Sequence, residues 1–81
     1  MKVRAQFYSQ VRDLAGAQEL IIDLAEGATI ADLLEKVYAK VPVLRARDKS
    51  ILVGAGDEFV DRHYKLKPGD EVSIMPPVQG G

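Results

Sequence analysis

The chain has 81 residues, 47% of them hydrophobic and 28% charged, with a net charge of −1, one histidine and no cysteine. Such a chain holds one domain near the lower size limit for a self-sufficient core, and its composition is that of a globular protein rather than a disordered one. It offers no disulfide framework, thiolate metal site or thiol nucleophile, no concentrated positive field for nucleic acid, and no run near the ~20 apolar residues that span a membrane, so a cytoplasmic protein is expected.

Met1-Lys2-Val3-Arg4-Ala5-Gln6 alternates apolar and polar residues where a secretory signal would be continuously apolar. Val3, Ala5 and Phe7 set against Arg4, Gln6 and Tyr8 predict a first strand with one buried face. Ser9 is expected to cap a short helix that carries Val11, Leu14 and Ala15 at helical spacing and stops at Gly16. Leu20, Ile22 and Leu24 alternate with Glu19, Ile21 and Asp23 in a second strand, which Gly27 breaks. The clearest helix follows. Thr29 is a good N-cap with Asp32 three positions on, close to the capping-box pattern. Ile30, Leu33, Leu34, Val37, Tyr38 and Val41 form one apolar stripe, and Pro42 ends the helix at or before Val41.

Residues 43–49 are basic and polar and read as a surface connection. Ile51-Leu52-Val53 predicts a third strand, Gly54-Ala55-Gly56-Asp57 a turn with Gly56 free to take positive φ, and Glu58-Phe59-Val60 a short edge strand. Asp61 to Leu66 reads as irregular, and Lys67-Pro68-Gly69-Asp70 as a type II turn. In the last strand, Glu71 to Met75, Val72 and Ile74 share one face and Ser73 and Met75 the other. The order β, β, α, β, β, β fits an α+β, two-layer, ubiquitin-like β-grasp: a mixed sheet of about five strands covered on one face by one main helix, with the first and last strands side by side in its centre.

Residues 1–75 are expected to form this domain and residues 76–81 a tail. Pro76 and Pro77 block helix and weaken further sheet pairing, so Pro76-Pro77-Val78-Gln79 predicts a stiff stem, and Gly80-Gly81 a slender flexible tip. A tip without side chains enters a slot in which any Cβ would clash, and it delivers the α-carboxylate of Gly81. An α-carboxyl titrates near pH 3.5, so that group is anionic at neutral pH and a poor electrophile until something activates it. Gly54-Ala55-Gly56 lacks the Gly-Lys-Ser/Thr of a phosphate-binding loop, so activation has to come from another protein.

Two stretches carry a family resemblance. Phe7-Tyr8-Ser9-Gln10-Val11-Arg12-Asp13-Leu14-Ala15-Gly16 resembles the opening signature of the ubiquitin-like sulfur carriers that form the small subunit of molybdopterin synthase (MoaD). Gly69-Asp70-Glu71-Val72 followed by Pro76-Pro77-Val78-Gln79-Gly80-Gly81 resembles that family's ending. The likeness covers essentially the whole chain. One departure is Gly56, where the family often has Asn; both residues tolerate a left-handed turn. The resemblance implies a non-catalytic carrier that binds no cofactor or metal itself. A MoeB-type adenylyltransferase uses ATP to adenylate Gly81, sulfur replaces the adenylate to leave a thiocarboxylate, and the tail then enters a MoaE-type large subunit. There the sulfur passes to cyclic pyranopterin monophosphate in molybdenum cofactor biosynthesis. By the same analogy the assembly is a heterotetramer with two copies of each subunit. Sulfur delivery for thiamine or tRNA thiolation is the alternative within carriers, and a ubiquitin-like protein modifier the alternative outside them.

Tyr8, Phe59 and Met75 fall on the parity opposite to the predicted core residues Phe7, Val60 and Ile74. Clustered on the uncovered face, they would make an interface patch for the large subunit. His63 sits in the polar run Asp61-Arg62-His63-Tyr64-Lys65 and reads as a surface residue rather than a catalytic one. Asp70 and Glu71 are adjacent and cannot converge as an acid–base pair on a strand, while Arg12 and Asp13 read as surface charges.

Overall fold

A computed structural model describes residues 1–77 of the chain. Its elements are β1 (Lys2–Phe7), α1 (Ser9–Ala15), β2 (Glu19–Asp23), α2 (Ile30–Lys40), a 3-10 segment (Pro42–Ser50), β3 (Leu52–Ala55), β4 (Glu58–Phe59) and β5 (Glu71–Met75). The five strands form one sheet in the order β2-β1-β5-β3-β4. β1 and β5 are parallel and central, with Arg4 against Glu71 and Phe7 against Ile74, and every other pair is antiparallel. This is the β-grasp arrangement expected from the element order. Among the described residues, no helix is long and apolar enough to cross a membrane.

The alternation in β1 and β5 decides which face is dry. Val3, Ala5, Phe7, Val72 and Ile74 are buried, and Ile22 of β2 and Val53 of β3 join them. Against this face lies α2, whose stripe Ile30, Leu33, Leu34, Val37 and Tyr38 is buried along its whole length. Its start is a complete capping box. Thr29 Oγ1 accepts from the Asp32 N–H at 3.3 Å, and Asp32 Oδ2 accepts from the Thr29 N–H at 2.9 Å; such a cap contributes about 1 kcal/mol. The helix stops where Pro42 begins the 3-10 segment, and the Val41 N–H closes the last turn on the Val37 carbonyl at 2.8 Å.

Three expectations need correction. Ser9 does not cap α1: the N-cap is Tyr8, and Ser9 is the first helical residue, held at φ 55 with no side-chain cap bond. The chain turns there from extended to helical within one residue, which leaves Ser9 in the left-handed region. Residues 43–49 are not a mere surface link. They wind into the 3-10 segment and seat Leu44 in the core at 0% exposure, a burial that stabilises by about 1.5–3 kcal/mol. The third strand begins at Leu52 and runs through Gly54 and Ala55, so the turn to β4 contains only Gly56 (φ 61) and Asp57. Gly16 and Gly69 do take the left-handed conformations expected of them, at φ 69 and 85.

The run Asp61–Lys65 is not uniformly solvated either. The Arg62 guanidinium donates through Nη2 to the Asp48 carbonyl (2.7 Å) and the Ile51 carbonyl (3.1 Å), and its Nη1 lies 3.6 Å from Asp48 Oδ1. Tyr38 Oη donates to the same Asp48 carboxylate at 2.5 Å. Burial, reinforced by that bond to a carboxylate, pushes the Tyr38 phenol well above its ordinary range. Arg45 lies 5.3 Å from the Tyr38 ring centroid and forks onto Glu35 with both bonds at 3.3 Å. One carboxylate, Asp48, thus ties α2, the 3-10 segment and the loop before β5 together.

Candidate functional site

β5 occupies the middle of the sheet and ends at Met75, so whatever follows it leaves from the centre of one sheet end. The sheet register shows what surrounds that exit on the face opposite α2. Met75 faces Leu52 across β3, and Gly54 lies between Ser73 on one side and Phe59 on the other. A Cβ on Gly54 would sit 3.5 Å from Met75 Cε, so the methionine reaches over the glycine toward the strand that carries Phe59. Tyr8 comes abreast of Met75 from β1, because its N–H bonds the Ile74 carbonyl at 3.1 Å, and its Oη donates to Gln6 Oε1 at 3.0 Å along the same face. Adjacent strands stand about 4.8 Å apart, so these neighbours form one patch. Phe59 is 68% exposed and Tyr8 44%, while Met75 and Leu52 are half-buried.

The three residues singled out by parity are therefore brought together, with Phe7 and Ile74 buried beneath them as expected. Val60, also expected in the core, is only half-buried and packs against its edge. Leu52 and Gly54 are the members that sequence reasoning missed. Leu52 has parity opposite to buried Val53, a signal that was available; the role of Gly54 as the low point between Met75 and Phe59 needs the register.

Pro76 is half-buried and Pro77 exposed, and both line a groove with Ser9, Gln10, Arg47 and Ser50. Val78, Gln79, Gly80 and Gly81, on which the tail reading rests, lie outside the described residues. His63 is exposed, and its backbone N–H bonds Asp61 Oδ1 at 2.8 Å. Asp70 is not paired with Glu71. It closes the turn before β5 by accepting from the Lys67 N–H at 2.9 Å and the Tyr64 hydroxyl at 3.3 Å. Arg12 and Asp13 are exposed on α1. Among the described residues, no group of His, Asp and Glu is placed to hold a metal ion.

A family model described as the ThiS family matches residues 5–81. The chain belongs to the ThiS family. Within reach of this ThiS-family chain by sequence are molybdopterin synthase sulfur carrier subunits. That of Chlamydomonas reinhardtii is 35% identical with both chains fully covered, and that of Drosophila yakuba is 32% identical over all of this chain and 92% of the other. Among solved structures, SAMP1 from Haloferax volcanii superposes with a TM-score of 0.89 at 25% identity over the whole of both chains. A chain in a protein–protein complex of subunits 1 and 2 of the Helicobacter pylori molybdopterin-converting factor shares the fold, with a TM-score of 0.73 at 22% identity over the whole of both chains.

Proposed function

We propose that this ThiS-family chain is the sulfur carrier subunit of molybdopterin synthase, and that its working group is the terminal carboxyl of Gly81. The observation that carries the reading is the end-to-end match to two sulfur carrier subunits. The family itself does not choose between molybdopterin and thiamine delivery; the names of these relatives favour the former. The geometry supports a carrier in a further way. The last strand is clamped in the middle of the sheet, and the only apolar patch of large side chains on the open face gathers around its exit, among the described residues. A partner that docks on Tyr8, Leu52, Phe59 and Met75 receives the following residues into its own interior.

In this reading a MoeB-type adenylyltransferase uses ATP to place AMP on the Gly81 carboxylate with release of pyrophosphate, and sulfur from a sulfur donor then displaces AMP from the carbonyl to leave the thiocarboxylate. The thiocarboxylate then enters a MoaE-type large subunit, which holds the pterin substrate and the catalytic groups. Pro76, Pro77, Val78, Gln79 and Gly80 form the inserted thread, the assembly contains two copies of each subunit, and the compartment is the cytoplasm. The carrier has no turnover of its own, because its contribution is delivery. The test is reconstitution with purified partners. The thiocarboxylated chain and a MoaE-type subunit are expected to convert cyclic pyranopterin monophosphate to molybdopterin, and activity only with a thiazole synthase would move the chain to the thiamine branch.

A protein-modifier reading is favoured by one observation, the full-length superposition on SAMP1, a small archaeal modifier protein. Conjugates to lysine side chains that vanish when Gly81 is deleted would establish it.

A further inference from the structure

The two edges of the sheet are unequal. β4 is two residues long, whereas β2 spans five and no described strand pairs with its outer side. The bonds from the Phe7 N–H to the Gln18 carbonyl and from the Leu24 N–H to the Met1 carbonyl, both 2.8 Å, show which residues turn inward. In an antiparallel ladder bonded and non-bonded pairs alternate, so Leu20 and Ile22 bond β1 while the N–H and C=O groups of Glu19, Ile21 and Asp23 point outward. Such a row is a template for another strand.

The side chains along this edge specify its partner. Ile21 is 48% exposed on the open face, bracketed by exposed Glu19 and Asp23. Each carboxylate has one cation on its inner side: Arg4 Nε lies 3.6 Å from Glu19 Oε2, and the Met1 ammonium 3.6 Å from Asp23 Oδ1. Both carboxylates are exposed, so each can meet a further cation brought by a strand on the outer side. On the other side of the strand, the loop after β2 and the flank of α2 form an open groove with Leu24, Ala28 and Ala39 among its lining residues; Glu26, Asp32 and Glu35 line it with the single cation Lys36. A strand added to β2 sends alternate side chains to these two surfaces.

We propose that the outer edge of β2 is a docking site for an extended segment of a basic partner protein, with an apolar residue opposite Ile21, cations opposite Glu19 and Asp23, and small apolar residues between them facing the groove. A second copy of this chain is the wrong occupant. Antiparallel pairing centred on Ile21 sets Glu19 directly against Asp23 of the copy, and like charges in that position repel. β1 separates this edge from β5, and β2 and β4 are opposite edges of the sheet, so the segment binds while the patch around Met75 is occupied.

The test uses the whole chain and two capped peptides, Lys-Val-Ile-Val-Lys and Glu-Val-Ile-Val-Glu. Titration followed by amide resonances and hydrogen exchange is expected to show the basic peptide slowing the Ile21 amide at least about tenfold, with the acidic peptide leaving it unchanged. Ile21→Pro removes an outward N–H together with the exposed isoleucine side chain while leaving the ladder bonds to β1 in place, which an edge strand tolerates, and is expected to weaken the basic peptide at least about tenfold. Glu19→Lys combined with Asp23→Lys is expected to reverse the preference between the peptides. Three results would overturn the proposal: no protection of Ile21 by the basic peptide, equal response to both peptides, or a dimer of the chain alone that Ile21→Pro dissolves.

Discussion

The two ends of the open sheet face occupy the same parity positions and do different things. At one end, Arg4 lies between Glu19 and Glu71, 3.6 and 3.8 Å away, in exposed ion pairs of the kind that contribute little to stability. At the other end, the equivalent outward positions hold Tyr8, Leu52 and Met75, with Phe59 beyond the gap at Gly54. Neither set is needed by the core, which is complete on the opposite face. The contrast teaches that, Ile21 on the β2 edge apart, apolar side chains on the uncovered face are concentrated where the last strand leaves the sheet, and that position, rather than hydrophobicity alone, marks them for a partner.

The sharpest way to break this comparison is to place one charge on each side of the same strand. Ile74→Lys buries an unpaired ammonium at a fully buried site and is expected to unfold the domain, costing more than about 3 kcal/mol in a denaturant melt. Met75→Lys is expected to leave the melt within about 1 kcal/mol of the parent and to weaken binding of the large subunit at least about tenfold; equal stability losses would void the assignment of faces. Gly80→Val is expected to abolish sulfur transfer at the partner while leaving the melt unchanged, because a glycine-width slot rejects a branched side chain.

Smaller effects sharpen what holds the scaffold behind the patch. Arg62→Ala leaves two backbone carbonyls and the Asp48 carboxylate short of donors and is expected to cost about 1–3 kcal/mol. Tyr38 gives a pH signature. Its phenol titrates higher in the folded chain than in the unfolded one, so its contribution is complete below the ordinary tyrosine value of about 10 and is lost as pH rises from there through the folded value. The fall in stability above about pH 10 is expected to be shallower in Tyr38→Phe than in the parent.

How far the sequence spoke depended on whether a signal was periodic. α2 was readable from Thr29 and Asp32 at its start, its apolar stripe and Pro42 at its end, because each is local. The pairing of β1 with β5 was read from the element order as its simplest arrangement, and the register bears it out. Leu44 was not readable: one apolar residue among Arg45, Arg47 and Lys49 has no period, and only the closure of the 3-10 segment against α2 turns it inward. Arg62 was hidden because its acceptors, Asp48 and Ile51, are 14 and 11 residues away. The patch was half readable, since parity found Tyr8, Phe59 and Met75, while Leu52 and Gly54 enter through strand register. The thread from Val78 to Gly81 stands on sequence and kinship alone.

Whether Gly81 carries the sulfur is decided by intact-mass measurement after incubation with the activating enzyme, ATP and a sulfur donor. The expected gain equals sulfur replacing one oxygen, confined on fragmentation to Gly81 and absent when Gly81 is deleted. An unchanged mass under conditions that charge a known carrier, or a modification on any other residue, would contradict that role for Gly81.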